Sequence, residues 1–231
     1  MKITNAKDIT DERATYLLYA PPGTGKTHTI NFLPGNTLYV AIDKTEAPLK
    51  GNENIDILGF DTHNAWDEWK TLMNWLANND LSKYENIVFD NISELFRSML
   101  GNMGRIGNNN MVPTMMNYQQ IDFVIIDSVR FINSLNKRVV FLAWEDTDEF
   151  QTEGGQIFNR SMPDMRNKIL NNFMGLCQVV GKLHINHRTG NRGFILAPSN
   201  SVFAKNQLDK RKNCKQEDIF KVGYESESDE E

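Results

Sequence analysis

The sequence predicts an α/β fold, a mostly parallel sheet with helices packed against it, on three observations. A Gly-rich turn at residues 20–27 (Ala-Pro-Pro-Gly-Thr-Gly-Lys-Thr) separates a short apolar, β-prone run from the start of a helical pattern. Near-continuous apolar runs at 37–42, 87–89 and 138–143 have the composition of strands buried on both faces. Between them lie longer segments whose apolar residues recur at helical spacing, and strands that alternate with helices form parallel sheets through crossover connections.

Each element follows from its local pattern. Residues 15–19 (Thr-Tyr-Leu-Leu-Tyr) read as the first strand and 27–33 as the helix that the Gly-rich turn opens. Residues 37–42 form the next strand and 55–60 a short one. From Asn64 onward, Trp66, Trp69, Leu72, Met73 and Leu76 make an amphipathic helix. Its tryptophans, with Trp75, read better as a core-facing stripe than as a base-stacking surface. Residues 87–90 form a strand ending in Asp90, residues 91–100 a helix, and 101–117 an Asn/Gly/Met-rich loop. Ile121, Val124, Ile125, Val129, Ile132 and Leu135 mark a long helix, followed by a buried strand at 138–143. Residues 145–163 are polar and read as irregular, 163–173 as helical, and 178–185 with 193–196 as paired strands. Ligands of such sheets bind beyond the carboxyl ends of the strands, where the octet, Asp90 and Trp144 gather.

The octet is a phosphate-binding loop in the context that its motif requires, with Ala20 in place of the first glycine. Gly23 and Gly25 let the backbone approach phosphate oxygens closely, and the N–H groups from Gly23 to Thr27 face the anion at a helix N-terminus. Pro22, Gly23, Thr24, Gly25, Lys26, Thr27 and His28 make up the expected nucleotide-binding set. Lys26 supplies charge to the β- and γ-phosphates, and the Thr27 hydroxyl takes one position on Mg²⁺. Asp90, at a strand end, is the expected partner of Thr27 on the metal; a helix cap is its alternative role. ATP and Mg²⁺ are the expected cofactors. Hydrolysis needs a water-orienting acid, and Glu46, Asp43 and Glu94 are the candidates, because Asn91, directly after Asp90, cannot act as a base.

Composition narrows the remaining classes. No apolar run approaches the length of a membrane span, so a soluble, cytoplasmic protein is expected. Cys177 and Cys214 are too few for a disulfide framework, and with His184 and His187 they lack the spacing of a zinc site. The net charge of −5 is carried entirely by an acidic run at 225–231. The body is neutral, which argues neither for nor against nucleic acid. A small-molecule kinase would need an Arg-rich lid, and residues 101–117 contain only Arg105.

Residues 16–27, the Ala-Ile-Asp at 41–43 through Glu46, residues 87–90 and 139–144, and the Phe-Ala-Lys-Asn-Gln at 203–207 together resemble the phage AAA-type, RecA-like P-loop ATPases, over roughly residues 14–212. Some members of that family are single-strand annealing proteins of phage recombination. The resemblance implies a P-loop NTPase with a RecA-like core, here over residues 1–215 with C-terminal strands, while acidic composition gives 216–231 as a disordered tail. It implies ATP hydrolysis with Mg²⁺, a homo-oligomer (ring or filament), and single-stranded DNA as partner, with a single-strand binding protein as a further one. RecA-like enzymes carry their catalytic acid beyond the strand beside the acid strand, which favours Glu46. In that family a polar residue after the strand at 138–143 reads the γ-phosphate, a place that Glu145 or a neighbour fills here. Lys205-Asn206 resembles a stretch that reaches a neighbouring subunit's nucleotide, so Lys205 is the expected trans-acting catalytic cation. Gln207 stands where relatives have Arg, and Arg211 is a substitute. DNA loops fall by position at 101–117 and 145–161, neither strongly basic; the better basic material is Lys182, His184, His187, Arg188, Arg192 and residues 205–215. A nucleotide-switched replication accessory or loader acting through protein partners is the alternative reading.

Overall fold

A computed structural model describes residues 5, 6, 13–151 and 153–222. The acidic run at 225–231 lies outside the described residues. The chain begins with β1 (Thr15–Ala20), buried along its whole length. After the Gly-rich turn, α1 (Lys26–Thr29) is a single turn continued by a 3₁₀ turn, Ile30–Phe32. It stops because Pro34 holds the preceding Leu33 extended, with ψ at 128°. β2 (Thr37–Ala41) and β3 (Ile55–Gly59) follow, then α2 (Ala65–Asn78). The tryptophan stripe of α2 is core: Trp69 is fully buried and donates Nε1–H to Ser128 Oγ at 2.9 Å.

β4 (Asn86–Asp90) leads into α3 (Ile92–Ile106), which Asn91 caps by accepting Glu94 N–H. Residues 101–106, expected in a loop, are the last turns of this helix. Asn102, Met103 and Gly104 are buried there, and that packing overrides the weak helix propensity of Gly and Asn. α4 (Met115–Ser134) starts with a Thr114/Asn117 capping box. β5 (Arg138–Gln151) runs well beyond its apolar core and pairs antiparallel with β6 (Ile157–Pro163). The stretch 145–163, expected to be irregular, is therefore a hairpin. α5 (Asn167–Gly175) begins later than expected. β7 (Val179–Ile185), β8 (Arg192–Ile195), β9 (Lys205–Asn206) and β10 (Asn213–Lys215) complete the sheet.

The fold class is the expected one. The strand order is β10-β8-β7-β1-β5-β4-β2-β3, and the six strands from β7 to β3 are parallel. β8 and β10 extend the β7 side antiparallel, and β9 pairs with β7 off the main path. Interposing β5 between β1 and β4 separates the phosphate loop from the acid strand by one strand. The register sets Ala20 beside Trp144, and Asp90 beside both Leu142 and Ala41, so these strands end at one rim.

Alternation along the strands divides the interior in two. Leu17 and Tyr19 join a cluster with side chains of α2, α3, α4 and α5, whereas Tyr16 and Leu18 join one with Ile30, Leu49, Ile219 and Phe220. The four longer helices thus cover one face. The other is covered by the segment after the phosphate loop and by the C-terminal residues, so the folded body runs through Phe220. Among the described residues no helix is long and apolar enough to cross a membrane.

Candidate nucleotide-binding site

The turn after β1 has the backbone that its glycines allow. Gly23 and Gly25 are left-handed, with φ of 78° and 105°. The Thr24 hydroxyl donates to the Pro21 carbonyl at 2.7 Å. Lys26 is 7% exposed and donates Nζ–H to the Ala20 and Pro21 carbonyls at 2.9 and 3.0 Å. Burial lowers its pKa, against the opposing charges of Asp90, Asp43 and Glu145. A buried ammonium held by neutral carbonyls, beside a rim of backbone N–H groups, is suited to an anion.

Thr27 Oγ1 donates to Asp90 Oδ2 at 2.8 Å, and the Tyr39 hydroxyl donates to the same oxygen at 2.5 Å. Asp90 is 1% exposed, and burial, followed by the charge of Asp43, pushes its pKa up to about 6. The hydrogen bonds from Tyr39 and Thr27, and the charge of Lys26, act the other way. Burial and Asp90 together hold the Tyr39 phenol far above its usual pKa, so it remains a donor. A hydroxyl and a carboxylate from opposite sides of β5 form an oxygen pair of the kind a hard divalent cation takes. The residues fit Mg²⁺ with a nucleotide: Lys26 and the loop amides for phosphate, Thr27 and Asp90 for the metal.

The acids around this centre differ in what they already hold. Asp43, just beyond β2, accepts from Thr45 Oγ1 at 2.6 Å and from Asn91 Nδ2 at 3.0 Å. Asn91 thus caps α3 with its oxygen and ties Asp43 with its nitrogen, which an acid at that position could not do. Glu46 lies at the start of the 3₁₀ turn Ala47–Leu49, and its Oε2 is buried with no hydrogen-bond partner among the described residues. Glu94, in the first turn of α3, has its pKa raised by burial. Glu145, on β5 just past the rim, receives Lys182 Nζ at 2.9 Å on one oxygen, while its Oε2 is also buried and unpartnered among the described residues. Its charge reaches both Lys26 and Tyr19. The place beyond the buried part of β5 thus holds a carboxylate tied to Lys182.

Other expected residues lie elsewhere. Lys205, expected to act in trans on a neighbouring subunit's nucleotide, donates its Nζ in this chain to the carbonyls of Met174, Gly175 and Cys177, at 2.6 Å for the last, closing the C-terminal end of α5. Arg211 is held by Asp209 and the Asp218 carbonyl. His28 is exposed on α1, edge-on to Phe32. Of the basic residues grouped as DNA-facing, Lys182 is bound to Glu145, and Arg192 donates Nε–H to the Thr24 carbonyl at 2.8 Å. His187, Arg188, Lys210, Lys212 and Lys215 remain exposed. Three residues of the centre carry no sequence signal for it. Tyr39 sits in an apolar run, Arg192 in a polar turn, and Gln216, whose Nε2 donates to the Gly25 carbonyl at 2.9 Å, falls where a tail was expected.

No curated protein matches the sequence. Among solved structures the chain is similar to the RadB recombinase, at 12% identity and a TM-score of 0.48, over 79% of this chain and 80% of that one. It is also similar to the flagellar accessory protein FlaH from Methanocaldococcus jannaschii, at 11% identity and a TM-score of 0.45, over 87% and 83%. A family model described as an AAA domain matches residues 12–208, from just before β1 to just past β9. That interval holds the phosphate loop, Asp90 and the strands that align them, and the chain belongs to the AAA-domain family.

Proposed function

We propose that this chain is a Mg²⁺-dependent ATPase with a RecA-like core that binds single-stranded DNA and promotes annealing or strand pairing, as an oligomer. The observation that carries the ATPase reading is the Thr27 hydroxyl held 2.8 Å from the Asp90 carboxylate, at the mouth of a glycine-bent loop with a buried lysine. Lys26 exchanges the Ala20 and Pro21 carbonyls for the phosphates, and the loop amides orient the chain of phosphates along the rim. Mg²⁺, when bound, supplies neutralisation of charge on the β- and γ-oxygens. Glu46 takes a proton from the attacking water, a role supported by its buried, unpartnered Oε2. Glu145, with Lys182 as its counter-ion, stands for the polar residue that reads the terminal phosphate from the β5 side.

The DNA role is supported by the resemblance to phage annealing ATPases and by the exposed basic residues His187, Arg188, Lys210, Lys212 and Lys215. ATP turnover measured with and without single-stranded DNA, beside annealing of complementary oligonucleotides, tests it. DNA-stimulated turnover with accelerated annealing is expected. An oligomeric sample that binds no single strand at low salt removes the DNA role and leaves the ATPase standing.

A specific observation favours the second reading, a nucleotide-switched accessory protein. Asp146, Asp148 and Glu149 stand exposed on the β5–β6 hairpin, where a DNA loop would need cations. Retention of a replication protein in the ATP state only, with turnover indifferent to DNA, would select it.

A further inference from the structure

Two side chains from outside the phosphate-loop motif hold that loop by its carbonyls. Arg192, the first residue of β8, donates Nε–H to the Thr24 carbonyl at 2.8 Å. Gln216, directly after β10, donates Nε2–H to the Gly25 carbonyl at 2.9 Å and to Thr29 Oγ1 at 2.8 Å. β8 and β10 are paired, with Cys214 opposite Phe194, so both donors belong to one antiparallel unit at the sheet's end.

A peptide unit is planar and trans, so its C=O and N–H point in opposite directions. The Thr24 carbonyl shares its plane with the Gly25 N–H, and the Gly25 carbonyl shares its plane with the Lys26 N–H. Holding both carbonyls fixes the directions of two of the amides that a phosphate meets. The Gly25 carbonyl also accepts Thr29 N–H at 3.2 Å, and the two side chains add to that hold in a loop whose glycines at 23 and 25 leave the backbone torsionally soft. Gly25 also makes the Arg192 contact possible: a Cβ there would stand 3.1 Å from Arg192 Nε. Gln216 is 4% exposed, so its amide is locked in this arrangement, and the Arg192 guanidinium adds positive charge beside an anion site.

We infer that Arg192 and Gln216 are positioning residues for phosphate recognition, and that the β8–β10 unit is part of the nucleotide-binding machinery. The inference rests on the nucleotide reading given above. By linkage, phosphate binding also tightens the C-terminal strands on the loop, which ties the end of the folded body to the nucleotide state.

Calorimetric titration of the full chain with ADP tests this, using Arg192→Ala, Arg192→Lys and Gln216→Met, the last of similar size but without a donor. Arg192→Ala and Gln216→Met are each expected to weaken ADP about tenfold, the usual effect of losing one such hydrogen bond. Arg192→Lys, which keeps a donor, is expected to recover part of the loss. The amide resonances of Gly25 and Lys26, which shift on ADP addition in the parent chain, are expected to respond less in Arg192→Ala, an effect that a general loss of stability would not give. Arg192 is exposed, so its variants fold and carry the test even if Gln216→Met does not. A parent chain that binds ADP, with Arg192→Ala binding as tightly and with the same amide response, overturns the inference alone. A parent chain that binds no ADP overturns the nucleotide reading and this inference with it.

Discussion

Asp90 accepts two hydroxyl hydrogen bonds on one oxygen and is almost wholly withdrawn from water, so its charge is costly until a cation arrives. Its pKa is raised from 3.8 to about 6, so the folded chain holds the proton more tightly than the unfolded chain does. The favourable contribution is therefore fully present below pH 4 and is lost as pH rises through 6. At neutral pH, ionised Asp90 costs the ligand-free fold about 3 kcal/mol, from roughly two pKa units. Asp90→Asn does not titrate, so the stability difference between the two chains is expected to move in the variant's favour by about 2–3 kcal/mol from pH 4 to pH 7. Urea unfolding across that range, without Mg²⁺, measures it; a difference independent of pH contradicts it. Glu46 and Glu145 each bury an oxygen that has no hydrogen-bond partner among the described residues, and isosteric amides separate their roles. Glu46→Gln is expected to keep ATP binding and to lower turnover by about 100-fold or more, the range for a general base. Glu145→Gln, which removes a negative charge felt at Lys26 and frees Lys182 of its counter-ion, is expected to tighten ATP binding instead of slowing turnover. Single-turnover and equilibrium-binding measurements tell the two apart, and unchanged turnover in Glu46→Gln passes the role to Asp43, Glu94 or Glu145.

At the scale of elements, the join between α3 and α4 is tighter than its composition suggests. Gly104 is buried in the last turns of α3, and a Cβ there would lie 2.4 Å from the Met111 carbonyl. Asn102 Oδ1, two residues earlier, accepts Trp66 N–H and ties α3 to α2. Gly104→Ala is expected to destabilise the chain by about 1–3 kcal/mol, because the backbone clash outweighs alanine's helix propensity. The midpoint of chemical unfolding checks this, and an unchanged or raised midpoint contradicts it. Elements with a buried face were legible in the sequence. The strands up to Asp90, the α2 stripe and the long α4 pattern all announce themselves, because burial imposes periodicity. The outer half of β5 was not legible, because residues 145–149 carry no apolar alternation and Asp146, Asp148 and Glu149 are all exposed. Its one local signal is the Gly154-Gly155 pair between β-prone runs, with Gly155 at φ 81°. The candidate site was legible where chemistry repeats in a motif, as at Lys26, Thr27 and Asp90. It was illegible where residues distant in sequence converge, as Tyr39, Arg192 and Gln216 do.

For the whole molecule, the asymmetry of the two sheet faces decides what the C-terminal segment does. The four longer helices seal one face, while the other depends on Ile30, Leu49, Ile219 and Phe220. Phe220 packs edge-on against Tyr16 of β1, with ring centroids 5.2 Å apart, and is 4% exposed. Tyr16 is the second residue of the strand that delivers the phosphate loop, and Gln216, one 3₁₀ turn before Phe220, grips the Gly25 carbonyl. The last described residues thus brace both the strand that leads into the site and its loop. Phe220→Ala removes a ring from this packing and is expected to cost about 3–5 kcal/mol, the usual range for a buried aromatic truncated to alanine. That is a large share of the 5–15 kcal/mol or so that holds a domain folded. The variant is therefore expected to unfold at distinctly lower denaturant and to bind ADP more weakly under conditions where it is still folded. Saturating ADP is expected to restore part of the lost stability, because a ligand that binds only the folded chain draws the equilibrium toward it. Denaturant titrations of both chains, with and without ADP, read all of these effects. If the residues after β10 were a solvated tail, Phe220→Ala would leave the midpoint where it is, and the second face of the sheet would have to be closed by other means.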